Sequence, residues 1–165
     1  LKSSAANKNA KPIYVDGALR GNGKSLNPKS GYGVYYGEND SRNAAVPLKG
    51  NTNQQAELKA LLHALKDIKK DTSGDIFLVR TDSMYTINAI TKWLENWAKN
   101  GFKTANNQPV KNREIIEEIK KLYDEVRAMY AAKGHEFVIE HVRGHVGEPG
   151  NEAADRLANL GADKL

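Results

Sequence analysis

Cysteine is missing altogether from the 165-residue chain. Its absence excludes disulfides, thiolate zinc sites and cysteine nucleophiles. It also fits a reducing, intracellular setting, with nucleus, mitochondrion and cytoplasm equally compatible. Long hydrophobic runs are missing too. No stretch approaches the roughly 20 apolar residues that a membrane-spanning helix needs, so no membrane partner is expected. Residues 1–11 are polar and rich in Ala, Asn and Lys, without the apolar core of a signal peptide. They read as a disordered lead-in or linker remnant, and a chain starting at Leu1 suggests a fragment. No internal repeat or second domain is visible. Residues 12–165 are expected to form one domain, acting as a monomer, which is long enough to bury a real core.

Charge is present but uneven. The net charge is +5, and residues 1–50 carry eight basic against three acidic side chains, whereas residues 51–165 carry seventeen of each. Within that neutral remainder, Lys92, Lys99, Lys103, Lys111 and Arg113 face a single Glu95 across residues 92–113. A local basic stripe of this kind is suited to phosphates, because attraction between exposed charges is short-ranged at physiological salt. Trp93 and Trp97 are spaced i,i+4 inside it, with Phe102 after the Asn100-Gly101 break. Such spacing commonly builds a core face. Aromatics among lysines, beside a following helix that already has a full apolar face, instead suit a nucleic-acid strand.

The hydrophobic pattern predicts the order β-β-β-α-β-α-α-β-α, a mixed α/β sheet with helices on its faces. Strands are expected at about 12–16, 32–36, 42–48, 76–81 and 135–142, the first three as an antiparallel meander. A loop is expected from Gly17 to Ser30. The spacing Thr52-Asn53-Gln54-Gln55 resembles a capping box. It precedes a helix with Leu58, Leu61, Leu62, Leu65 and Ile68 on one face. Ser83 is expected to cap a helix running to about Trp97. Asn112 is expected to cap a long helix carrying Ile115, Ile116, Ile119, Leu122, Tyr123, Val126 and Met129, stopped by Gly134. A last helix is expected over about 151–160.

Four acids stand at informative places in this order. Asp16 and Asp82 end β-like runs, Glu57 lies in the opening turns of the first helix, and Asp155 opens the last one. Ligand sites in α/β sheets lie beyond the carboxyl ends of strands. If the strands of Asp16 and Asp82 are neighbours, their carboxylates stand about 5 Å apart, and Glu57 and Asp155 can reach the same point. Taken singly, each acid is an ordinary turn, cap or helix-dipole residue. Together, without a histidine or cysteine cluster, they suggest a hard, oxygen-liganded divalent metal site. Two Mg²⁺ roughly 3.5–4 Å apart would turn their mutual repulsion into attraction and allow in-line displacement at phosphorus.

The residues around these acids carry a resemblance. Tyr14-Val15-Asp16-Gly17, Thr52-Asn53-Gln54-Gln55-Ala56-Glu57, Thr81-Asp82-Ser83-Met84-Tyr85, and Gly144-His145 with Gly150-Asn151-Glu152-Ala153-Ala154-Asp155 resemble the four active-site motifs of cellular type 1 ribonuclease H, eukaryotic type. They occur in family order and spacing, and the similarity covers residues 12–162. The resemblance implies a ribonuclease H-like fold: a five-stranded mixed sheet, its first three strands antiparallel, flanked by helices. It implies endonucleolytic hydrolysis of the RNA strand of RNA/DNA hybrids, leaving 3′-hydroxyl and 5′-phosphate ends. Asp16, Glu57, Asp82 and Asp155 would hold two Mg²⁺ ions, with Mn²⁺ able to substitute. His145 would assist proton transfer or product release, as its unperturbed pKa near 6.5 permits. His63, His135 and His141 have no such context and read as structural.

The same resemblance assigns substrate contacts. Tyr85, Trp93 and Trp97 would hold the DNA strand, and Thr52 and Asn112 would bind a DNA phosphate. Asn22, Asn53, Gln54, Glu57 and Met84, with backbone of the 18–22 loop, would line the minor groove, where 2′-hydroxyls distinguish RNA from DNA. The chain departs from vertebrate-type relatives at Gly50, where they carry arginine. The adjacent Lys49 offers a point charge without bidentate geometry. Two other readings compete with this one. A recombinase or integrase core on the same fold normally uses three acids in another arrangement, and the Thr-Asn-Gln-x-Ala-Glu motif argues against it. A non-catalytic hybrid-binding module would lack one of the carboxylates, and all four are present.

Overall fold

The computed structural model describes residues 10–20, 29–49, 53–90, 99, 112–143 and 148–164. The strands are β1 (Lys11–Arg20), β2 (Lys29–Tyr35), β3 (Ala44–Lys49), β4 (Phe77–Thr81) and β5 (Ile139–His141). The described helices are α1 (Asn53–Lys70), α2 (Met84–Asn88), α3 (Arg113–Ala132) and α4 (Pro149–Asp163). One five-stranded sheet has the order β3-β2-β1-β4-β5. β1, β2 and β3 pair antiparallel, whereas β4 runs parallel to both β1 and β5. Among the described residues no helix is long and apolar enough to cross a membrane.

Strand alternation gives the two faces of the sheet different chemistry. Ile13, Val15, Tyr32, Val34, Phe77, Val79 and Ile139 face one side, where they meet Leu58, Leu61 and Leu65 of α1 and Ile116, Ile119, Val126 and Tyr130 of α3. This is the main core. Truncating one of these fully buried leucines to alanine costs about 2–5 kcal/mol in comparable cores.

The other face is packed by close approach. Gly31 and Gly33 of β2 lie directly under α4. A Cβ on Gly31 would stand 2.8 Å from the Ala158 carbonyl oxygen, and one on Gly33 would stand 2.6 Å from the Ala158 nitrogen. The buried Ala154, Ala158 and Ala162 make the matching stripe on the helix. Backbone against backbone seats α4 over β2, and the Tyr14 ring lies under Gly150 at the start of the helix.

Several boundaries differ from the sequence expectation. β1 continues through Arg20 and β2 starts at Lys29, so both ends of the expected 17–30 loop belong to strands, paired from Gly17↔Tyr32 to Arg20↔Lys29. Pairing with β2 sustains this Gly-containing stretch, which local propensity alone would not. β5 is shorter than expected, being confined to the three residues that pair with β4. Asn112 stands at the N-cap of α3 but with φ 62°, and its side chain makes no capping hydrogen bond among the described residues. Capping by an Asn side chain requires an extended backbone; here the backbone carbonyl of Asn112 instead accepts from the Ile116 N–H at 3.0 Å.

Two expected terminators are found. Ser83 Oγ accepts from the Thr86 N–H at 3.1 Å and caps α2. Gly134, at φ 78°, follows the end of α3, and its N–H donates to the Ala131 carbonyl at 3.0 Å. That is the left-handed exit that glycine makes without steric penalty.

Candidate metal centre

The parallel pairing of β1 with β4 ends at Val15↔Thr81. The next residues on the two strands are Asp16 and Asp82, so the neighbour condition is met and the two carboxylates stand side by side. Asp16 does not end its strand, as the sequence suggested. It lies mid-strand, opposite Gly33, because β1 runs on against β2 after leaving β4.

Glu57 comes from the second turn of α1. The close approach that brings it in depends on Gly17, where a Cβ would stand 2.7 Å from the Glu57 nitrogen and 2.8 Å from Ala56. One ligand oxygen from each of Asp16, Glu57 and Asp82 lies within 4.8 Å of the others.

The fourth acid sits differently. Asp155 was expected to open the last helix, but α4 begins at Pro149, whose fixed φ suits a first helical position. Asp155 is therefore two turns in. It lines the same open cleft, of about 450 Å³, together with Asp16, Gly17, Asn53, Glu57, Asp82 and Ser83. It is outside the tight group of three. The Asn159 side chain donates to the Asp155 carbonyl oxygen at 3.0 Å, one turn further on.

Crowding and burial act together on these groups. Asp16 is 4% exposed and Glu57 6%. Burial, followed by the charges of Glu57, Asp82 and Asp155, holds the Asp16 carboxyl far above the usual carboxylate range. Glu57 is also raised, first by burial, then by Asp82 and Asp155; hydrogen bonds from Asp16 and the Gly17 N–H oppose the rise. The Gly17 N–H also donates to Asp16 Oδ1 at 2.9 Å.

Glu57 Oε2 is buried with no hydrogen-bond partner among the described residues. A buried oxygen without a donor is costly, and a cation would satisfy it. The donors are all carboxylate oxygens, which suit Mg²⁺, Mn²⁺ or Ca²⁺ rather than a soft metal. The residues therefore fit a divalent metal site.

Around the cleft, Asn53 and Gln54 are exposed in the first turn of α1. Met84 is 49% exposed at the start of α2. Tyr85 is half-buried and packs against the main core. Asn112 is half-buried at the entry to α3. Asn22, Thr52, Trp93, Trp97 and His145, with Gly50, lie outside the described residues.

Of the other histidines, His63 is tied into the structure. Its Nδ1 lies 2.8 Å from the Tyr32 hydroxyl, and its Nε2 lies 3.5 Å from Asp67.

Two contributions escaped the sequence reading. Gly17 is one, since nothing local marks it as a site of close approach rather than a turn. The other is a polar chain through Tyr14, Arg80, Glu140 and Glu148. The signal for it was an arginine inside the otherwise apolar run Phe77-Leu78-Val79-Arg80-Thr81. A charge in a buried strand needs a partner.

Comparison with known proteins agrees with this geometry. The RNase H family model matches residues 8–163. Ribonuclease H of Schizosaccharomyces pombe (strain 972 / ATCC 24843) is 40% identical over 165 residues, covering 99% of this chain and 57% of that protein. The chain thus spans little more than half of that relative's length. Ribonuclease H of Ruthia magnifica subsp. Calyptogena magnifica is 39% identical over 156 residues, covering 93% of this chain and 95% of that protein. Among solved structures, the solution structure of the PFV RNase H domain is similar at 26% identity with TM-score 0.66, covering 93% of this chain and 94% of that one. With the sheet order, the clustered acids and these matches in agreement, the chain belongs to the ribonuclease H family.

Proposed function

We propose that the chain is an endonuclease that hydrolyses the RNA strand of RNA/DNA hybrids, leaving 3′-hydroxyl and 5′-phosphate ends. The observation that carries the reading is the meeting of Asp16, Glu57 and Asp82 within 4.8 Å, with Asp155 on the same cleft. Its support from relatives is a match along 95% of a bacterial protein named Ribonuclease H.

Asp16, Glu57, Asp82 and Asp155 hold two Mg²⁺ ions in this reading, and Mn²⁺ can replace them. When bound, such ions lower the pKa of an attacking water and offset charge on the departing oxygen. The protein's own part is to present oxygens from β1, the end of β4 and α1 already within 4.8 Å of one another, with Asp155 of α4 on the same cleft. The buried Asp16 and Glu57 exclude water from the floor of the site, and the more exposed Asp82 and Asp155 face the incoming phosphate.

Asn53 lines the cleft, Gln54 and Met84 are exposed in the first turns of α1 and α2, and these three with Asn22 meet the 2′-hydroxyl side of the hybrid. Amide side chains both donate and accept, which suits a hydroxyl. Thr52 and Asn112 bind a DNA phosphate, Tyr85, Trp93 and Trp97 hold the DNA strand, and His145 assists proton transfer or product release.

The test is incubation with labelled RNA/DNA hybrid, duplex RNA and duplex DNA, each with and without Mg²⁺. Cleavage confined to the hybrid and to Mg²⁺ is expected. Asp82→Asn is expected to abolish cleavage while hybrid binding survives; an active Asp82→Asn protein would remove the metal-ligand assignment. Binding without cleavage by the unmodified chain would favour a hybrid-binding module instead.

A further inference from the structure

A chain of hydrogen bonds crosses three strands and ends at the first turn of α4. Tyr14, Arg80 and Glu140 are register partners on β1, β4 and β5, so their side chains leave the same face of the sheet. Arg80 Nε donates to Glu140 Oε2 at 3.2 Å. Arg80 Nη1 donates to the Tyr14 hydroxyl at 2.8 Å, with the guanidinium 5.6 Å from the Tyr14 ring centroid. The Tyr14 hydroxyl then donates to Glu148 Oε2 at 2.9 Å.

Glu148 is the N-cap residue of α4, yet its side chain makes no capping bond to its own helix among the described residues. It reaches Tyr14 instead. Gly150 rests on the same ring, which leaves no room for a Cβ there.

Most of the buried face of α4 beyond Gly150 is glycine and alanine, lying on Gly31 and Gly33 of β2. These fix how near the helix lies to the sheet, but without interlocking side chains they resist sliding along its axis only weakly. The directional hydrogen bond from Tyr14 to Glu148 fixes the N-terminal end, next to Gly150 and on the side of Asp155, while at the far end Lys164 Nζ donates to the Ala45 carbonyl oxygen at 2.6 Å. The axial position matters because Asp155 is on this helix, two turns from Glu148, while the other three acids stand on β1, directly after β4 and on α1. We propose that the Glu140–Arg80–Tyr14–Glu148 chain positions α4 along its axis and so sets the reach of the Asp155 carboxylate toward the metal site of Asp16, Glu57 and Asp82. The inference rests on the reading of Asp155 as a metal ligand.

Tyr14→Phe keeps the ring beneath Gly150 and removes only the hydroxyl. Residues that orient metal ligands typically change metal affinity 10–100-fold. With one ligand of four affected, and through a helix, Mn²⁺ affinity is expected to fall about three- to tenfold. Mn²⁺ titration calorimetry on the full chain without nucleic acid reads this directly. Cleavage kcat is expected to fall by a similar factor while KM for hybrid stays constant. Glu148→Gln retains an acceptor oxygen and should match the unmodified chain, whereas Glu148→Ala should match Tyr14→Phe.

A Tyr14→Phe protein with lower stability but unchanged Mn²⁺ affinity would overturn the proposal, leaving the chain of bonds merely structural. So would a Glu148→Gln protein as impaired as Glu148→Ala. An unmodified chain that binds Mn²⁺ but leaves hybrid uncut would overturn the nuclease reading alone, since the titrations need no cleavage. One that binds no Mn²⁺ would overturn both.

Discussion

Removing an acid from the centre should make the metal-free protein more stable. Asp16, Glu57 and Asp82 bring ligand oxygens within 4.8 Å of one another. Two full charges at that separation repel by about 3 kcal/mol at an effective dielectric of about 20. Proton uptake relieves part of this, so Asp16→Asn is expected to stabilise the apo protein by about 1–3 kcal/mol. The substitution is conservative in shape. Asn Oδ1 can still accept from the Gly17 N–H, as Asp16 Oδ1 does at 2.9 Å, and the amide can donate to Glu57.

The pH dependence gives the sign. Asp16 and Glu57 have folded pKa values raised above their ordinary 3.8 and 4.5. The folded state therefore binds more protons than the unfolded state at neutral pH, and stability falls as pH rises above about 4 towards the raised values. Urea unfolding in chelator across pH 5 to 8 should show the unmodified protein losing stability. Asp16→Asn should show a flatter profile and a midpoint higher at pH 8 by about 2–8 °C in a parallel thermal scan. Mg²⁺ should stabilise the unmodified protein most at the upper end of that range and the variant little. An Asp16→Asn protein less stable than its parent in chelator at pH 8, with the same pH slope, would refute the argument from crowded charge.

Other outcomes follow from contacts already described. Gly17→Ala places a methyl 2.7–2.8 Å from α1 backbone. Such overpacking costs about 1–3 kcal/mol, and urea unfolding together with weakened Mn²⁺ binding should record the displacement of Glu57. In the basic stripe, Trp97→Ala is expected to weaken hybrid binding. Lys99→Ala should lower the slope of log affinity against log salt by about 1. Fluorescence anisotropy at several salt concentrations checks both, and unchanged affinity in the two variants would return the stripe to ordinary surface.

Much of the sheet was legible because periodicity is a local property. The leucine face of α1 and the isoleucine face of α3 are written at helical spacing, and both contribute to the main core, with α3 packed against α1. Ser83 and Gly134 mark ends through local hydrogen bonding. Errors gathered where pairing overrides propensity. Gly17 to Arg20 looks like loop by composition but is strand, because β2 supplies its backbone partners. Asn112 has the residue type of a cap, yet its backbone is left-handed and its side chain makes no capping bond among the described residues.

The acids divide in the same manner. Their number, type and order could be read directly, since oxygen-rich metal chemistry demands carboxylates and the motifs around them are specific. Their distances could not. Asp16 and Asp82 are 66 positions apart in sequence, and only the parallel register Val15↔Thr81 makes them neighbours.

The sequence by itself determined the ingredients: four acids, two amphipathic helices, a basic aromatic stripe and the family to which their motifs belong. Tertiary structure alone decided that three acids meet while Asp155 stands on a helix seated by glycines. It also decided that Asp16 and Glu57 are buried side by side, which raises both carboxyls above their ordinary range. Periodicity and residue type are properties of neighbours in sequence. Burial, and separations of a few ångströms between distant segments, come from strand order, register and the closeness that Gly17, Gly31 and Gly33 permit.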